Sequence, residues 1–286
     1  MDITIQLPDS FQEMTLQELL EKEWLVPKKV RHFLRMRKSV SVNGLAAPFH
    51  LSVKAGDTIS LHFEPEDYPA PKAHISNPSS LTILFEDEQL IIVNKPVGIK
   101  THPNEPEEKD TLLNQLAGYL MPKGQFPYVV HRLDKDTSGC IVFAKNPFIL
   151  PILGQMLEQK RIYRRYQAIV SGNIKRSSWT INQKIGRHRH DRRKYVIDSR
   201  KGKHAITHIE KAFYDSEKNQ TAVFCLLDTG RTHQIRVHLS SQGHPIIGDP
   251  LYGKAAGRLM LHAYELHLLH PFSKEKIIVQ SLPGLW

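Results

Sequence analysis

The sequence predicts an α+β fold in which a mixed, mainly antiparallel β-sheet is flanked by a few helices and preceded by a small α+β region. Apolar runs of strand length occur in unequal clusters, few segments have helical apolar spacing, and prolines and serines crowd residues 65–80. A regular parallel fold would alternate strands and helices evenly. We therefore expect an N-terminal domain over residues 1–70, a linker over 71–80 and a second domain over 81–286.

The N-terminal domain is predicted to contain two helices followed by a small sheet. Residues 14–23 have helical apolar spacing, and residues 27–38 form a second, basic segment. Short runs at residues 40–42 and 59–63, near Asn-Gly and Gly-Asp turns, predict strands. Residues 28–38 carry six basic side chains and no acidic one, which is typical of a helix that lies against phosphates.

The second domain is predicted to hold clustered strands around a few helices. Helices are expected at residues 111–120 and 147–159, and a further helix is expected to begin within residues 229–239. The predicted strands cover residues 81–85, 90–93, 129–130, 141–143, 166–170, 206–213 and 222–227.

Composition argues against several classes of protein. No uncharged apolar run approaches membrane-spanning length and the N-terminus does not resemble a signal peptide, so we expect a cytoplasmic protein. Cys140 and Cys225 both lie in apolar stretches and are expected to be reduced core thiols. Histidines at 188 and 190, and at 262, 267 and 270, lack a cysteine or carboxylate that would complete a ligand set, so no metal is expected.

The net charge of +10 points to a polyanionic partner. Residues 160–203 contain fifteen Lys or Arg and two Asp, with Tyr163, Trp179 and Tyr195 interleaved. A solvated charged face would also explain such a run, but cations mixed with aromatic rings are typical of nucleic-acid surfaces. The cations singled out in this segment are Arg187, Arg189, Arg192 and Arg193.

The sequence His-Arg-Leu-Asp-Lys-Asp-Thr-Ser-Gly at residues 131–139 is the strongest candidate for a functional site. It lies between two apolar runs, at 128–130 and 140–144, so it is predicted to be a polar turn on a rigid scaffold. Asp, Thr, Ser and Gly are also ordinary turn residues, and by itself the pattern favours neither interpretation.

Other motifs occur before and after this stretch along the chain. They are Asn-Lys-Pro-Val-Gly at 94–98, Arg-Arg-Tyr at 164–166, Gly-Arg-Thr-His-Gln-Ile-Arg-Val-His at 230–238, Gly-Asp-Pro-Leu-Tyr-Gly at 248–253 and Arg-Leu-Met-Leu-His-Ala at 258–263. Together they resemble the RNA pseudouridine synthases that modify uridines in large-subunit ribosomal RNA and in transfer RNA. The resemblance covers about residues 81–286, and it implies uridine isomerisation without a cofactor or metal.

The resemblance implies catalytic roles for three residues. Asp134 is expected to be the essential carboxylate, which either attacks the ribose or removes a sugar proton; both routes stay open. Arg236 is expected to be its counter-ion and to keep it ionised. Tyr166 is expected to stack on the target base, which the enzyme must take out of its helical stack. Asp136 is expected to be a turn residue.

Four further residues are expected to contact the substrate. Arg132 either fills the gap left by the flipped base or contacts a phosphate, and Arg164 contacts a phosphate. Leu261 either lines the uracil pocket or is an ordinary core leucine. Arg231 either binds phosphate or structures its turn.

A second resemblance concerns the N-terminal domain. Arg-Lys-Ser-Val-Ser-Val-Asn-Gly at 37–44 and Val-Lys-Ala-Gly-Asp-Thr-Ile at 53–59 resemble a degenerate S4 RNA-binding domain. This resemblance implies that Lys28, Lys29, Arg31 and Arg35 contact RNA.

Two other functions stay open at this point. One is a catalytically inert RNA-binding or ribosome-assembly protein, and the other is a glycosidic-bond hydrolase, for which Asp134 and Asp136 would have to form a carboxylate pair. The basic surroundings do not favour the raised pKa that one member of such a pair needs. The expected partner is ribosomal or transfer RNA, and the expected oligomeric state is a monomer.

Overall fold

The computed structural model describes residues 1–69, 74–78 and 81–284. Its strands, in chain order, are β1 Asp2–Gln6, β2 Met14–Thr15, β3 Val40–Val42, β4 Leu45–Ala46, β5 Ser52–Val53, β6 Thr58–His62, β7 Thr82–Glu86, β8 Leu90–Lys95, β9 Tyr128–Val129, β10 Ser138–Ala144, β11 Tyr163–Ser171, β12 Ser178–Asn182, β13 Ile185–Arg187, β14 Tyr195–Ile197, β15 Ile206–Asp215, β16 Gln220–Leu227, β17 Leu261–Leu269 and β18 Lys276–Gln280. The helices are α1 Leu16–Glu18, α2 Lys28–Arg37, α3 Leu112–Leu120, α4 Leu150–Glu158 and α5 Gln234–Ser241, with a π-helical turn at Leu19–Glu23 and a 3₁₀ turn at Met121–Lys123.

The strands form a four-stranded sheet near the N-terminus, a ten-stranded sheet in the rest of the chain and two small ribbons. Antiparallel pairs dominate the large sheet, whereas β10 and β17 run parallel. The α+β class with a mixed, mainly antiparallel sheet is therefore confirmed. The central path of the large sheet runs β12-β15-β16-β11-β17-β10-β8-β7.

The N-terminal helices form where apolar spacing predicts them. The predicted helix over 14–23 begins two residues late, because Thr15 is the N-cap of α1 and exchanges hydrogen bonds with Glu18 in a capping box. In α2, Val30 and Leu34 are four residues apart and both are buried. This helix ends at Arg37, and its C-cap residue Lys38 takes the left-handed backbone conformation (φ 53°).

Aromatic side chains pack the N-terminal region against the large-sheet region. Trp24 makes edge-on contacts with Phe148 and Phe272, each with 5.7 Å between ring centroids, and Phe63 lies 5.6 Å from Phe148. These rings belong to one buried cluster that contains residues of both regions. Burial of such rings fixes the two regions against each other.

Strand β17 lies between β10 and β11 and organises the centre of the large sheet. Its first residues pair with Ser138 and Gly139 of β10, and its second half pairs with β18. Gly139 has φ 113°, and a Cβ atom there would lie 2.2 Å from the carbonyl oxygen of Ala263. Glycine is required at this close approach of two strands, which fixes the end of the 131–139 turn.

Half of the expected linker, residues 71–73 and 79–80, lies outside the described residues. Its described part, residues 74–78, runs along α3, where the Ser76 N–H donates to the Asn114 carbonyl and the Asn114 side chain donates to the His74 carbonyl. In residues 1–69, 74–78 and 81–284, no helix is long and apolar enough to cross a membrane, and no group of three His, Cys, Asp or Glu side chains is placed to hold a metal ion. Cys140 and Cys225 are buried free thiols.

Candidate active site

A cavity of about 530 Å³ lies where four distant segments of the sequence meet. Among the residues that line it are all seven residues expected to act in catalysis or substrate binding: Arg132, Asp134, Arg164, Tyr166, Arg231, Arg236 and Leu261. All its lining residues lie between His131 and Leu261, in the large-sheet region.

The 131–139 turn is held by hydrogen bonds on several sides. Thr101 binds both the N–H and the carbonyl of Leu133, and the Gly98 N–H donates to the Lys135 carbonyl. The buried Lys95 ammonium donates to three carbonyls, including that of Lys135. Asp134 therefore projects from a turn whose backbone is fixed by the Asn-Lys-Pro-Val-Gly motif.

Residues at the start of β10 and β17 support the same turn. The Arg258 guanidinium donates to Ser138 Oγ over 2.7 Å, and Ser138 Oγ lies 2.8 Å from His262 Nδ1. His262 Nε2 lies 2.9 Å from the Ser281 carbonyl, so it carries the ring proton and Ser138 donates to Nδ1. Burial lowers the pKa of His262 to about 4, which keeps it neutral.

The Asp134 carboxylate, 19% exposed, lies beside the buried Arg236 guanidinium, with 3.6 Å between Nη1 and Oδ2. Arg236 is thus within ion-pair distance, as expected, but its hydrogen-bonded partner is Asp249. Its Nε and Nη2 each donate to an Asp249 carboxylate oxygen over 2.8 Å. Burial works against both charges, yet the mutual hydrogen bonds raise the pKa of Arg236 and lower that of Asp249. Asp249 therefore holds the arginine in place, and the remaining Nη1 faces Asp134.

His233 lines the cavity beside Asp134, and Tyr252 packs against His233. His233 Nε2 lies 3.8 Å from Asp134 Oδ2, and its Nδ1 lies 2.8 Å from the Tyr252 hydroxyl. Burial lowers the pKa of His233, against the pull of Asp134. The Tyr252 ring also lies 5.1 Å from the Arg236 guanidinium. One cation and one neutral imidazole therefore flank the carboxylate.

Tyr166 and Leu261 supply apolar walls to the cavity, and both are buried. Arg164 and His131 supply hydrogen-bond donors: within the described residues, Arg164 Nε and His131 Nδ1 are buried without a hydrogen-bond partner. The Val142 N–H points at His131 Nε2 over 3.4 Å, which leaves the proton on Nδ1. Buried N–H groups that lack a partner beside a cavity are suited to donate hydrogen bonds to an oxygen atom of a ligand.

The remaining substrate candidates are more exposed. Arg132 is exposed beside Asp134. Arg231 is exposed too, and its Nε donates to the His204 carbonyl over 2.9 Å. This bond supports the structural interpretation of Arg231 while leaving its Nη groups at the rim.

The residues expected to bind RNA lie on two separate surfaces. The basic face of α2 contains Lys28, Lys29, Arg31 and Arg35, and the hairpin over residues 185–197 contains Arg187, Arg189, Arg192 and Arg193. Arg31 pairs with Glu21 over 3.1 Å and Arg193 pairs with Asp191 over 3.0 Å. The hairpin adjoins the cavity, because the Tyr195 ring packs edge-on against His233, which lines it.

Three residues of the site were not singled out from the sequence: Asp249, Tyr252 and His233. Each belongs to a quoted motif, Gly-Asp-Pro-Leu-Tyr-Gly or Thr-His-Gln-Ile-Arg, so position in a motif was the available signal. The helix expected over 229–239 begins only at Gln234, because His233 adopts the left-handed conformation (φ 58°).

Comparison with known proteins agrees with this geometry. The family described as RNA pseudouridylate synthase matches residues 89–241, and the RluD ribosomal pseudouridine synthase N-terminal domain matches residues 3–59. The uncharacterized RNA pseudouridine synthase YhcT of Bacillus subtilis is 38% identical, over 94% of this chain and 92% of its own. The ribosomal large subunit pseudouridine synthase D of Nitrosomonas europaea is 35% identical, over 98% of this chain and 84% of its own.

A solved structure shares the fold. Human RNA pseudouridylate synthase domain containing 1 matches with a TM-score of 0.60 and 27% identity, over 72% of this chain and 85% of its own.

Proposed function

This chain belongs to the RNA pseudouridylate synthase family and isomerises uridine to pseudouridine in RNA, and we propose that Asp134 is its catalytic carboxylate. The observation that carries the proposal is the meeting of Asp134, Arg236 and Tyr166 in one cavity. In the reaction the bond from the ribose to uracil N1 breaks, a bond to C5 forms, and C5 loses a proton while N1 gains one. Nothing is oxidised or transferred to another molecule, so one carboxylate with supporting donors suffices.

The surrounding residues divide the remaining work. Arg236 favours the ionised form of Asp134, and Tyr166 with Leu261 holds the extruded base between apolar walls. Arg164 donates to a phosphate or carbonyl oxygen of the target nucleotide, because its buried Nε–H has no partner within the described residues. Arg132 lies at the exposed edge, where it can fill the gap left by the base.

The proposed substrate is structured ribosomal RNA, with transfer RNA as the alternative. A relative named for the ribosomal large subunit covers almost the whole chain, which supports ribosomal RNA. We infer that residues 1–70 form an S4-like RNA-binding domain, 71–80 a linker and 81–286 the catalytic domain. We propose that the protein acts as a monomer, and an RNA substrate supports a cytoplasmic location.

The test compares Asp134→Asn with Asp136→Asn on ribosomal RNA from cells that lack the protein. Asp134→Asn should lower pseudouridine formation roughly 10³-fold or more while RNA binding persists, as expected for loss of an essential group. Asp136 does not line the cavity, so its asparagine variant should keep measurable activity. Pseudouridine mapping measures both variants.

Three outcomes would contradict the proposal. Cellular rescue by Asp134→Asn would support an inert RNA-binding protein, and release of free uracil would support a hydrolase. Equal loss in a folded Asp136→Asn variant would overturn the assignment of Asp134 as the single carboxylate.

A further inference from the structure

A chain of hydrogen bonds connects the basic hairpin to His233, whose ring faces the Asp134 carboxylate. The Tyr195 N–H donates to the Tyr252 hydroxyl over 2.8 Å, and that hydroxyl lies 2.8 Å from His233 Nδ1. The His233 ring packs edge-on against both tyrosines, with centroid distances of 5.7 and 5.6 Å. Its far nitrogen, Nε2, faces Asp134 Oδ2 at 3.8 Å.

These contacts determine which ring nitrogen carries the proton. His233 is neutral near pH 7, because burial lowers its pKa. The Tyr252 hydroxyl accepts from the Tyr195 N–H and has one proton of its own to donate, and we assign that proton to His233 Nδ1, which lies 2.8 Å away. The ring proton then resides on Nε2, where it points toward the carboxylate.

The backbone at His233 supports a functional reason for this residue. His233 precedes α5 with φ 58° and ψ 20°, a conformation that glycine and asparagine adopt more readily. Non-glycine residues in this region concentrate at functional sites. Its side chain does not cap α5, so the imidazole serves the cavity rather than the helix.

We propose that His233 is a positioning residue for Asp134: its Nε2–H group faces the catalytic carboxylate, with 3.8 Å between Nε2 and Oδ2, and orients it by electrostatic attraction, and Tyr252 holds the ring in that tautomer. The inference rests on the proposed role of Asp134. Since Tyr195 begins the second strand of the basic hairpin, the surface that binds RNA also supports the orientation of the carboxylate. Asp249 performs the corresponding task for Arg236 on the opposite side.

A matched pair of substitutions separates this role from a structural one. In His233→Gln the side-chain amide reaches the position of Nε2, whereas in His233→Asn it reaches only that of Nδ1. Asparagine suits the left-handed backbone better, so a merely structural role predicts that Asn is the milder change. Positioning predicts the reverse: kcat about 10- to 100-fold lower for Asn than for Gln, with KM for RNA unchanged.

Tyr252→Phe removes the hydroxyl that holds the tautomer of His233, and it keeps the ring beside Arg236. We expect kcat to fall about 3- to 10-fold, the effect of losing one neutral hydrogen bond, with KM unchanged. Equal kcat for His233→Gln and His233→Asn, or a loss confined to KM, would overturn the inference. An unchanged kcat in Tyr252→Phe would refute the role of Tyr252.

Asp134→Asn, assayed on the same RNA, keeps the two proposals distinguishable. If this variant stays active, the proposed function fails. If it is inactive while His233→Asn and His233→Gln are equally active, only the positioning role fails.

Discussion

The two basic surfaces of this protein, α2 and the hairpin over residues 185–197, are both rich in basic residues, but they differ in the acidic residues that surround them. In the α2 segment, Arg31 pairs with Glu21, and Arg37 pairs with Glu66 and Asp67. In the hairpin over residues 185–197, Arg193 pairs with Asp191, whereas the exposed Arg187 donates to the Arg192 carbonyl. Arg189 and Arg192 are exposed near its tip.

The difference teaches that a count of charges within one segment does not give the charge offered to a ligand. No acidic residue occurs within residues 28–38, but Glu21, Glu66 and Asp67 arrive from other segments and neutralise two of its arginines. In the hairpin the described ion pairs engage one arginine, Arg193, and the Tyr195 ring packs against His233 of the active site. We therefore expect the hairpin to contribute more to RNA affinity and the α2 arginines more to stability.

The largest expected effect tests whether the hairpin contributes more to RNA affinity than the α2 arginines do. The double variant Arg189→Ala, Arg192→Ala should weaken RNA binding about 100-fold and reduce the slope of log K against log salt by about two, since two phosphate contacts are lost. The matched variant Arg31→Ala, Arg37→Ala removes the same charge and should weaken binding far less. Filter binding over a salt series measures both; equal losses would abolish the distinction.

The next effect concerns stability. Arg37 donates over 2.8 Å to Asp67, whose side chain is fully buried. Arg37→Ala leaves that carboxylate without its cation, so we expect about 2 to 3 kcal/mol lower free energy of unfolding. Arg189→Ala should leave the urea midpoint unchanged because its side chain is exposed. Equal midpoints for Arg37→Ala and the unmodified protein would show that the pair is not needed.

Local patterns in the sequence predicted much of the fold. Helices α3 and α4 lie within the predicted ranges, and β8, β10 and β16 were expected from their apolar runs. Strands β13 and β14 were missed because basic residues dominate their segment. The central strand β17 was also missed: His262 and Glu265 interrupt its apolar pattern, and folding supplies their partners, the Ser281 carbonyl and the Gln280 side chain.

The site was predictable in its residues and less so in its pairings. Every expected catalytic and substrate residue lines the cavity, because motif order identified the segments that converge there. The sequence predicted only one of the two partners of Arg236, namely Asp134. The second, Asp249, is thirteen positions away and reaches Arg236 only through tertiary packing. Similarly, the tautomer of His233 depends on Tyr195 and Tyr252, which are distant in sequence.

The two regions should also respond to pH with opposite signs. Burial lowers the pKa of His262, in the large-sheet region, from 6.5 to about 4. Between these values the unfolded chain binds the proton and the folded protein does not, so stability falls as pH falls below 6.5. We expect this histidine to lower the free energy of unfolding by about 1 to 2 kcal/mol between pH 6.5 and pH 5. Urea titrations of His262→Asn should show a shallower slope with pH; an unchanged slope would assign the acid sensitivity to other groups.

The smallest expected effect lies in the N-terminal region, at the cross-strand pair His62 and Asp2. Their side chains are exposed, and the hydrogen bond that His62 Nδ1 donates to Asp2 over 2.6 Å raises the pKa of His62. A raised pKa stabilises the fold below the unfolded value of 6.5, and this contribution is lost as pH rises through the folded value. His62→Gln should therefore lower the urea midpoint slightly at pH 5.5 and leave it unchanged at pH 8.5. High salt should erase the difference, since exposed pairs are screened. A difference that persists at pH 8.5 would come from packing, and the N-terminal region would then lack the charge-dependent response that distinguishes it from the large-sheet region.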